Sequence, residues 1–530
     1  MAARSFLVLG FALGFLAALQ GATFSAGAAE PQGATATKDT DLTHILTSET
    51  PYYTSTPAQA RPPDGTLKVG TKVKLLQEAG SYVLMRAETG ITVYVEAGSL
   101  VALPPEIRQA DDTPGPERVF SVPLAHSSDL FPIVTWDRQD AWSTLHQSVE
   151  QGLQSVADCH FTVAGFVRPE DLPVCEKLGL AAIVAPSEAG KPWFRDWKKL
   201  SDEDIDLGVK SMVEKSGNSK AVIGYAIMDE PGTAAFPKLA KAVAAVKKYA
   251  PGKLAHINLF PNYATLGASD TSQLGAATYT EYLERFVTEV KPQFLGYDNY
   301  MVEYSDDLED GGKAGLYYAN LLEVRRVAQQ HALPFWNVVC CNQIRKFTTI
   351  PSPANLAFQA YTTLAAGGRG ITWYRYHPGG YYAYAPIDNS GHKTETWQYL
   401  QAVNQQARTL GPIMNRLTST GVYFTSAVPE KSLPLLPGRI IKQVQSKASP
   451  RGITKAELPV MVGEFSDEHG NDYVMLVNLS LKRSTNIKLE TVKPYQSKQV
   501  FSAVDGRLLP LDEQNGHWLV AGQGMLVKLQ

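Results

Sequence analysis

Cysteine is scarce in this chain: Cys159, Cys175, Cys340 and Cys341 are the four in 530 residues. Four cannot staple a protein of this length, so its stability must come from core packing. Cys159 and Cys175 would pair only if the fold brought them together. The vicinal Cys340 and Cys341 lack partner Cys or His residues at metal-ligand spacing, which argues against a metal site, and no cofactor is expected. Excess positive charge is missing too. The formal net charge is -3 with no long basic run, so the footprint of a nucleic-acid binder is absent. No Gly-rich dinucleotide fingerprint follows an apolar run, and no nucleophile elbow of the G-x-S-x-G type occurs. Beyond the N-terminus no segment is both long and apolar enough to cross a bilayer.

What is present is ordinary globular composition, 44% hydrophobic and 19% charged, enough for two or three domains. The opening "MAARSFLVLGFALGFLAALQGATFSAGAAE" carries one Arg, an apolar core and then small residues. It reads as a signal peptide over residues 1–29, and the mature protein is expected to be secreted or periplasmic with no membrane span. Residues 30–63, rich in Thr, Ala and Pro, read as a linker. In residues 64–104, "GTLKVGTKVKLLQEAGSYVLMRAETGITVYVEAGSLVAL" alternates β-branched runs with Gly turns. This β segment resembles a bacterial SH3-like domain, which implies a spacer or a docking module for a cell-wall or protein partner.

Over residues 125–412 the pattern changes. Short apolar runs recur with helical periodicity between them: "FPIVTW", "FTVAGF", "LAAIVAP", "AVIGYAIM", "LAHINLF", "PQFLGYDNY", "LPFWNVV" and "GITWYRY". Phe236, Leu239, Val243 and Val246 form one apolar helical stripe; Trp397, Leu400, Val403, Ala407 and Leu410 form another. Eight βα units in this length predict an α/β fold, a (β/α)8 TIM barrel. Residues 418–530 lose the helical period and predict a C-terminal β-sandwich.

In such a barrel the chemistry sits where strands end, and these ends are polar and aromatic. Strand 1 closes on Trp136 and Asp137, strand 4 on Asp229 and Glu230, strand 5 on Asn258. Strand 6 offers Asp298 and Tyr300 with Glu303 beyond, strand 7 Asn337, and strand 8 Trp373, Tyr374 and Arg375. Acids, amides and large aromatics together suit a carbohydrate: flat faces for the ring, hydrogen bonds for hydroxyls, two carboxyl groups for the bond. Glu230 is the candidate general acid and Asp298 the candidate second carboxylate. The other residues are candidate sugar contacts. Adjacent side chains on a strand point to opposite sides, so only one of Asp229 and Glu230 is expected to face the bond. Each has a bland reading as well: the acids would suit a helix N-terminus, Trp373 and Tyr374 a barrel layer, and Glu303 a solvated loop.

The runs "GYAIMDEPG", "YLERFVTEVKPQFLGYDNY", "PFWNVV" and "FQAYTTLAAGGRGITWYRY" resemble barrel glycoside hydrolases related to the family 42 β-galactosidases. The resemblance implies a secreted hydrolase of an oligo- or polysaccharide whose acid/base Glu closes strand 4, which falls on Glu230, with Asp229 where the family usually has Asn. It also implies a nucleophilic Glu ending strand 7. Here "FWNVVCCNQIRK" holds no acid. Three readings stay open: Asp298 takes that role, Glu303 reaches in, or the chain is a noncatalytic carbohydrate- or cell-wall-binding protein.

Overall fold

A computed structural model describes residues 42–54, 62–79, 81–102, 130–136, 148–185, 193–305, 308, 310–345, 348–377, 382–425, 428, 430–447 and 457–530. The expected signal peptide, part of the expected linker, and Asp137 lie outside these. The chain divides into two compact units, Met1–Glu117 and Arg118–Gln530.

In the first unit, five strands form an antiparallel sheet in the order Thr92–Glu96, Tyr82–Ala87, Lys72–Ala79, His44–Leu46, Leu100–Ala102. Thr50–Tyr52 pairs separately with Gly65–Leu67. The stretch read as a linker therefore supplies two strands. At three residues each they are too short to display an alternating period. Leu46, Val73, Val83, Met85, Val93 and Val95 bury one face.

The second unit begins with eight parallel strands: β1 (Ile133–Thr135), β2 (Val163–Val167), β3 (Ala181–Val184), β4 (Val222–Asp229), β5 (Leu254–Leu259), β6 (Leu295–Asp298), β7 (Phe335–Cys340) and β8 (Ile371–Tyr374). They pair in sequence order and close on themselves as a barrel, β8 bonding β1. All eight apolar runs lie on these strands. Their near-continuous burial follows from being covered on both faces, by helices outside and barrel filling inside.

Between and after them run α1 (Val149–Asp158), α2 (Leu172–Lys177), α3 (Asp202–Ser216), α4 (Phe236–Tyr249), α5 (Tyr279–Arg285), α6 (Gly311–Gln330), α7 (Pro353–Ala365) and α8 (Glu395–Met414). Ser201 and Asp204 start α3 with a reciprocal capping box, which satisfies two amides that the first turn leaves open. The α4 and α8 stripes read from the sequence are buried against the barrel. Val134, Val163, Ala181, Ile183, Ile223, Leu254, Phe294 and Trp336 fill the barrel interior. Cys159 and Cys175 are free and buried.

Two antiparallel sheets complete this unit. The strands are β9 (Thr418–Phe424), β10 (Ile441–Lys447), β11 (Val460–Ser466), β12 (Asp472–Asn478), β13 (Thr485–Thr491), β14 (Lys498–Phe501), β15 (Leu508–Pro510), β16 (His517–Leu519) and β17 (Gly524–Leu529). One sheet has the order β9-β11-β12-β17-β14-β15, the other β10-β13-β16. Val444 and Ile487 of the smaller sheet share an apolar layer with Val462, Val474 and Val527 of the larger. The opposite face of the larger sheet, with Met461, Phe465, Met475 and Leu526, joins the barrel's outer core. Gly463 allows the close approach: a Cβ there would stand 2.0 Å from the Ala365 carbonyl oxygen at the end of α7. Among the described residues no helix is long and apolar enough to cross a membrane.

Candidate functional site

Strand alternation decides which side chains reach the barrel mouth. On β5 the inward positions are Leu254, His256 and Asn258; on β7 they are Trp336, Val338 and Cys340. The ring of His256 lies 5.9 Å from that of Trp136, 5.6 Å from Phe294 and 6.2 Å from Trp336. Burial pushes its imidazole down to about 4, so it is neutral at physiological pH. Trp136 packs edge-on to Phe166 at 4.8 Å. These rings form an apolar plug, and the polar groups stand above it.

Asn258 Nδ2 donates to Asp229 Oδ1 at 3.0 Å and also hydrogen-bonds Asp298. The carboxyl groups of Glu230 and Asp298 stand close enough to shift each other's proton affinity, so the ends of β4 and β6 approach each other across the barrel top. Both adjacent acids join this cluster, Asp229 through Asn258 and through its charge on Glu230. The reason is local: Glu230 has φ of 46°, in the left-handed region, and its N–H bonds the Asn258 carbonyl at 2.8 Å. The strand alternation breaks at that residue. Such a conformation in a non-glycine residue costs on the order of 1–3 kcal/mol and is held by its surroundings.

Crowding three carboxyls makes their ionisation costly. Burial, followed by the charge of Asp229, raises Glu230 to about 7. Asp298 is buried and held well above the carboxylate range by desolvation, then by Glu230 and Asp229. Asp229 is open to the cleft, yet the protein around it excludes enough water to raise its carboxyl, against the lowering bond from Asn258. The cluster thus keeps protons near neutral pH and can give or take one.

Tyr300 hydrogen-bonds Asp298 and packs at 5.2 Å on Tyr374, whose hydroxyl meets that of Tyr382. Arg375 lies over the Tyr382 ring at 5.1 Å and reaches His377 at 2.9 Å. One side of the mouth is therefore an aromatic wall. Tyr263 accepts a hydrogen bond from the Tyr300 N–H at 3.1 Å and feels the charges of Asp298 and Glu230. Sequence reading passed over Tyr263, though its place four residues beyond β5 was a usable signal. His256 was also missed, two positions before Asn258 on the same face.

Two expected sugar contacts point elsewhere. Asn337 is fully buried and donates to Thr363 of α7 at 2.9 Å. Trp373 is fully buried and donates to Asn404 of α8 at 2.8 Å. Both occupy the outward parity of their strands, where Cys340 and Tyr374 occupy the inward one. Glu303 is not a solvated loop acid. It is buried on the turn Met301–Tyr304, set against Thr348 and the Cys340 thiol at the end of β7, and desolvation holds its carboxyl well above the ordinary range. No group of three or more His, Cys, Asp or Glu among the described residues is placed to hold a metal ion.

No protein-family model and no curated protein matches the chain. Solved structures resemble it in fold. A glycoside hydrolase family 5 protein from Bacteroides vulgatus is 12% identical with a TM-score of 0.44, over 76% of this chain and 89% of that one. A GH51 arabinofuranosidase from Xanthomonas axonopodis pv. citri is 11% identical with a TM-score of 0.39, over 76% and 97%. A catalytic mutant of a GH42 β-galactosidase from G. stearothermophilus is 9% identical with a TM-score of 0.48, over 77% and 99%.

Proposed function

We propose that this protein is a secreted glycoside hydrolase acting on an oligo- or polysaccharide, with Glu230 as general acid. The observation that carries the reading is the Glu230 carboxyl: at the end of β4 in the barrel mouth, close to Asp298, and raised to about 7. A carboxyl that keeps its proton near neutrality is what protonation of a glycosidic oxygen requires. The aromatic wall of Tyr300, Tyr374 and Tyr382 offers faces for sugar rings, and Asp229 and Asn258 offer hydrogen bonds for hydroxyls.

In the resting site Glu230 and Asp298 stand side by side. Two-carboxylate hydrolysis needs roughly 5–5.5 Å between them for retention, or about 6.5–9.5 Å for inversion. On this reading the scissile bond lies between the pair. Glu230 delivers its proton to the leaving oxygen as the bond to the anomeric carbon breaks. Asp298, ionised once the shared proton is gone, either attacks that carbon or takes a proton from the water that does.

A second reading has its own support. The absence of an acid on β7 also suits a barrel that binds sugars without cleaving them. A polysaccharide panel with reducing-end detection separates the two, using wild type beside Glu230→Gln. The hydrolase reading expects release by wild type and a loss of at least about 100-fold in the variant, with binding retained. No release from any substrate, with binding intact, favours the second reading; equal release by both proteins removes Glu230 from the mechanism.

A further inference from the structure

The barrel mouth holds more acid than two-carboxylate chemistry uses. Glu230 and Asp298 carry the bond-breaking steps in the proposed function, and Asp229 is a third carboxyl with no task there. Among the described residues no lysine or arginine pairs with any of the three. Held protons relieve their charge instead, since desolvation raises all three and repulsion adds to the rise in Glu230 and Asp298. Arg375, on the aromatic wall, is turned to His377 at 2.9 Å and to the Tyr382 ring. Glu303 lies behind the wall, against the Cys340 thiol.

Two oxygens in the cluster lack a donor. Asn258 is 1% exposed and Asp298 4%, yet neither Asn258 Oδ1 nor Asp298 Oδ1 meets a hydrogen-bond partner among the described residues. Turning the Asn258 amide over would not cure this, because its Nδ2 is committed to Asp229 Oδ1 at 3.0 Å. A buried polar group left in this way costs about 1–3 kcal/mol until a partner reaches it. Asp229 stands exposed at the end of β4, so a ligand entering the mouth meets its carboxyl with the Asn258 amide already bonded to it.

The arrangement calls for a ligand that brings several donors and its own positive charge. A neutral hydroxyl donates one proton and leaves the repulsion among the acids as it was. A carboxylate or sulfate adds to that repulsion. An ammonium group has three donors and no acceptor, forms a charge-assisted hydrogen bond to a carboxylate, and takes over the neutralising role of the held protons. The aromatic wall favours it as well: Tyr300 and Tyr374, with ring centres 5.2 Å apart, attract a cation as readily as they support a sugar ring. A metal ion is the other class of cation. The described His, Cys, Asp and Glu include no group of three or more placed to hold one.

We infer that the sugar accepted by this mouth is an amino sugar with an unacetylated, protonated amine, held by Asp229 with Asn258 Oδ1 and Asp298 Oδ1 as further acceptors. This rests on the proposed function in taking the ligand to be a carbohydrate, and it adds the group that the sugar carries.

The test uses the full chain carrying Glu230→Gln, so that bound sugar persists, and matched tetrasaccharides that differ at one substituent. These are β-1,4-linked glucosamine, N-acetylglucosamine and glucose, with the galactose-configured set beside them. Calorimetric titration at about pH 6, where a sugar amine is charged, should find the amine-bearing member of at least one set bound about tenfold or more tighter than its hydroxyl and acetylated counterparts. Adding Asp229→Asn keeps the size of that side chain and removes its charge. The preference should then vanish, with a thermal midpoint no lower than that of the parent. Equal affinity for the members of each set, tighter binding of an acetylated member, a preference that survives Asp229→Asn, or no binding at all overturns the inference. Reducing-end release by the wild type decides the hydrolase reading separately. An Asp229-dependent preference for the amine without release keeps this inference and defeats the hydrolase; release without such a preference does the reverse.

Discussion

Replacing Glu230 with Gln should stabilise the folded protein, and by an amount that depends on pH. Moving the Glu230 carboxyl from 4.5 to about 7 costs about 1.4 kcal/mol per tenfold change in proton affinity, or roughly 3 kcal/mol once the group is ionised in both states. The sign follows from proton counting. Below 4.5 the folded and unfolded chains are both protonated and the penalty is absent. Between 4.5 and 7 the unfolded chain releases its proton while the folded one keeps it, so stability falls as pH rises. Above 7 the whole penalty is present. Glutamine keeps the shape and carries no charge, so the variant lacks this slope. Urea unfolding followed by tryptophan fluorescence is a suitable assay, because all eight tryptophans lie beyond residue 117 and report on the barrel-containing unit alone. The expected gain for Glu230→Gln is about 0.8 kcal/mol at pH 5 and roughly 3 kcal/mol at pH 8. An equal gain at both pH values, or a loss at pH 8, would refute the argument that burial and Asp229 strain this carboxyl. A gain in stability where activity is lost is the usual trade at a working site.

Asp229→Asn removes the like charge beside Glu230, so the pH at which turnover falls on the alkaline side should move down. A pH profile of kcat/KM on any cleaved substrate reads this, and an unmoved or raised limit would contradict the proximity of the two charges. Gly463→Ala forces a methyl against the Ala365 carbonyl and should destabilise the unit by about 1–3 kcal/mol, the usual cost of overpacking. A urea midpoint equal to that of wild type would show that the sheet does not press on α7 so closely.

Much of the architecture was readable in the residues because burial leaves a periodic trace. The eight apolar runs became the eight barrel strands, and the stripes Phe236–Val246 and Trp397–Leu410 became buried helix faces, since a covered strand must be apolar throughout and a covering helix on one side only. The linker reading failed at His44–Leu46 because three residues carry no measurable period. At the site, strand ends were identifiable and side-chain direction was not. On β7 and β8 polar and apolar residues do not alternate, so nothing local told that Asn337 and Trp373 would turn to α7 and α8 while Cys340 and Tyr374 turned inward.

The succession of strands and helices, the acids at strand ends, and the scarcity of cysteine that leaves the fold to its core are all written in the order of residues. Those are local properties, set by which residues can be buried and in what rhythm. Long-range packing alone brings Glu230 beside Asp298 and Asp229 against Asn258, and buries Glu303 behind Cys340. Proton affinity and exposure belong to the space around a group. That space is made by strands far apart in the chain, and by a single left-handed residue whose backbone no neighbour in sequence dictates.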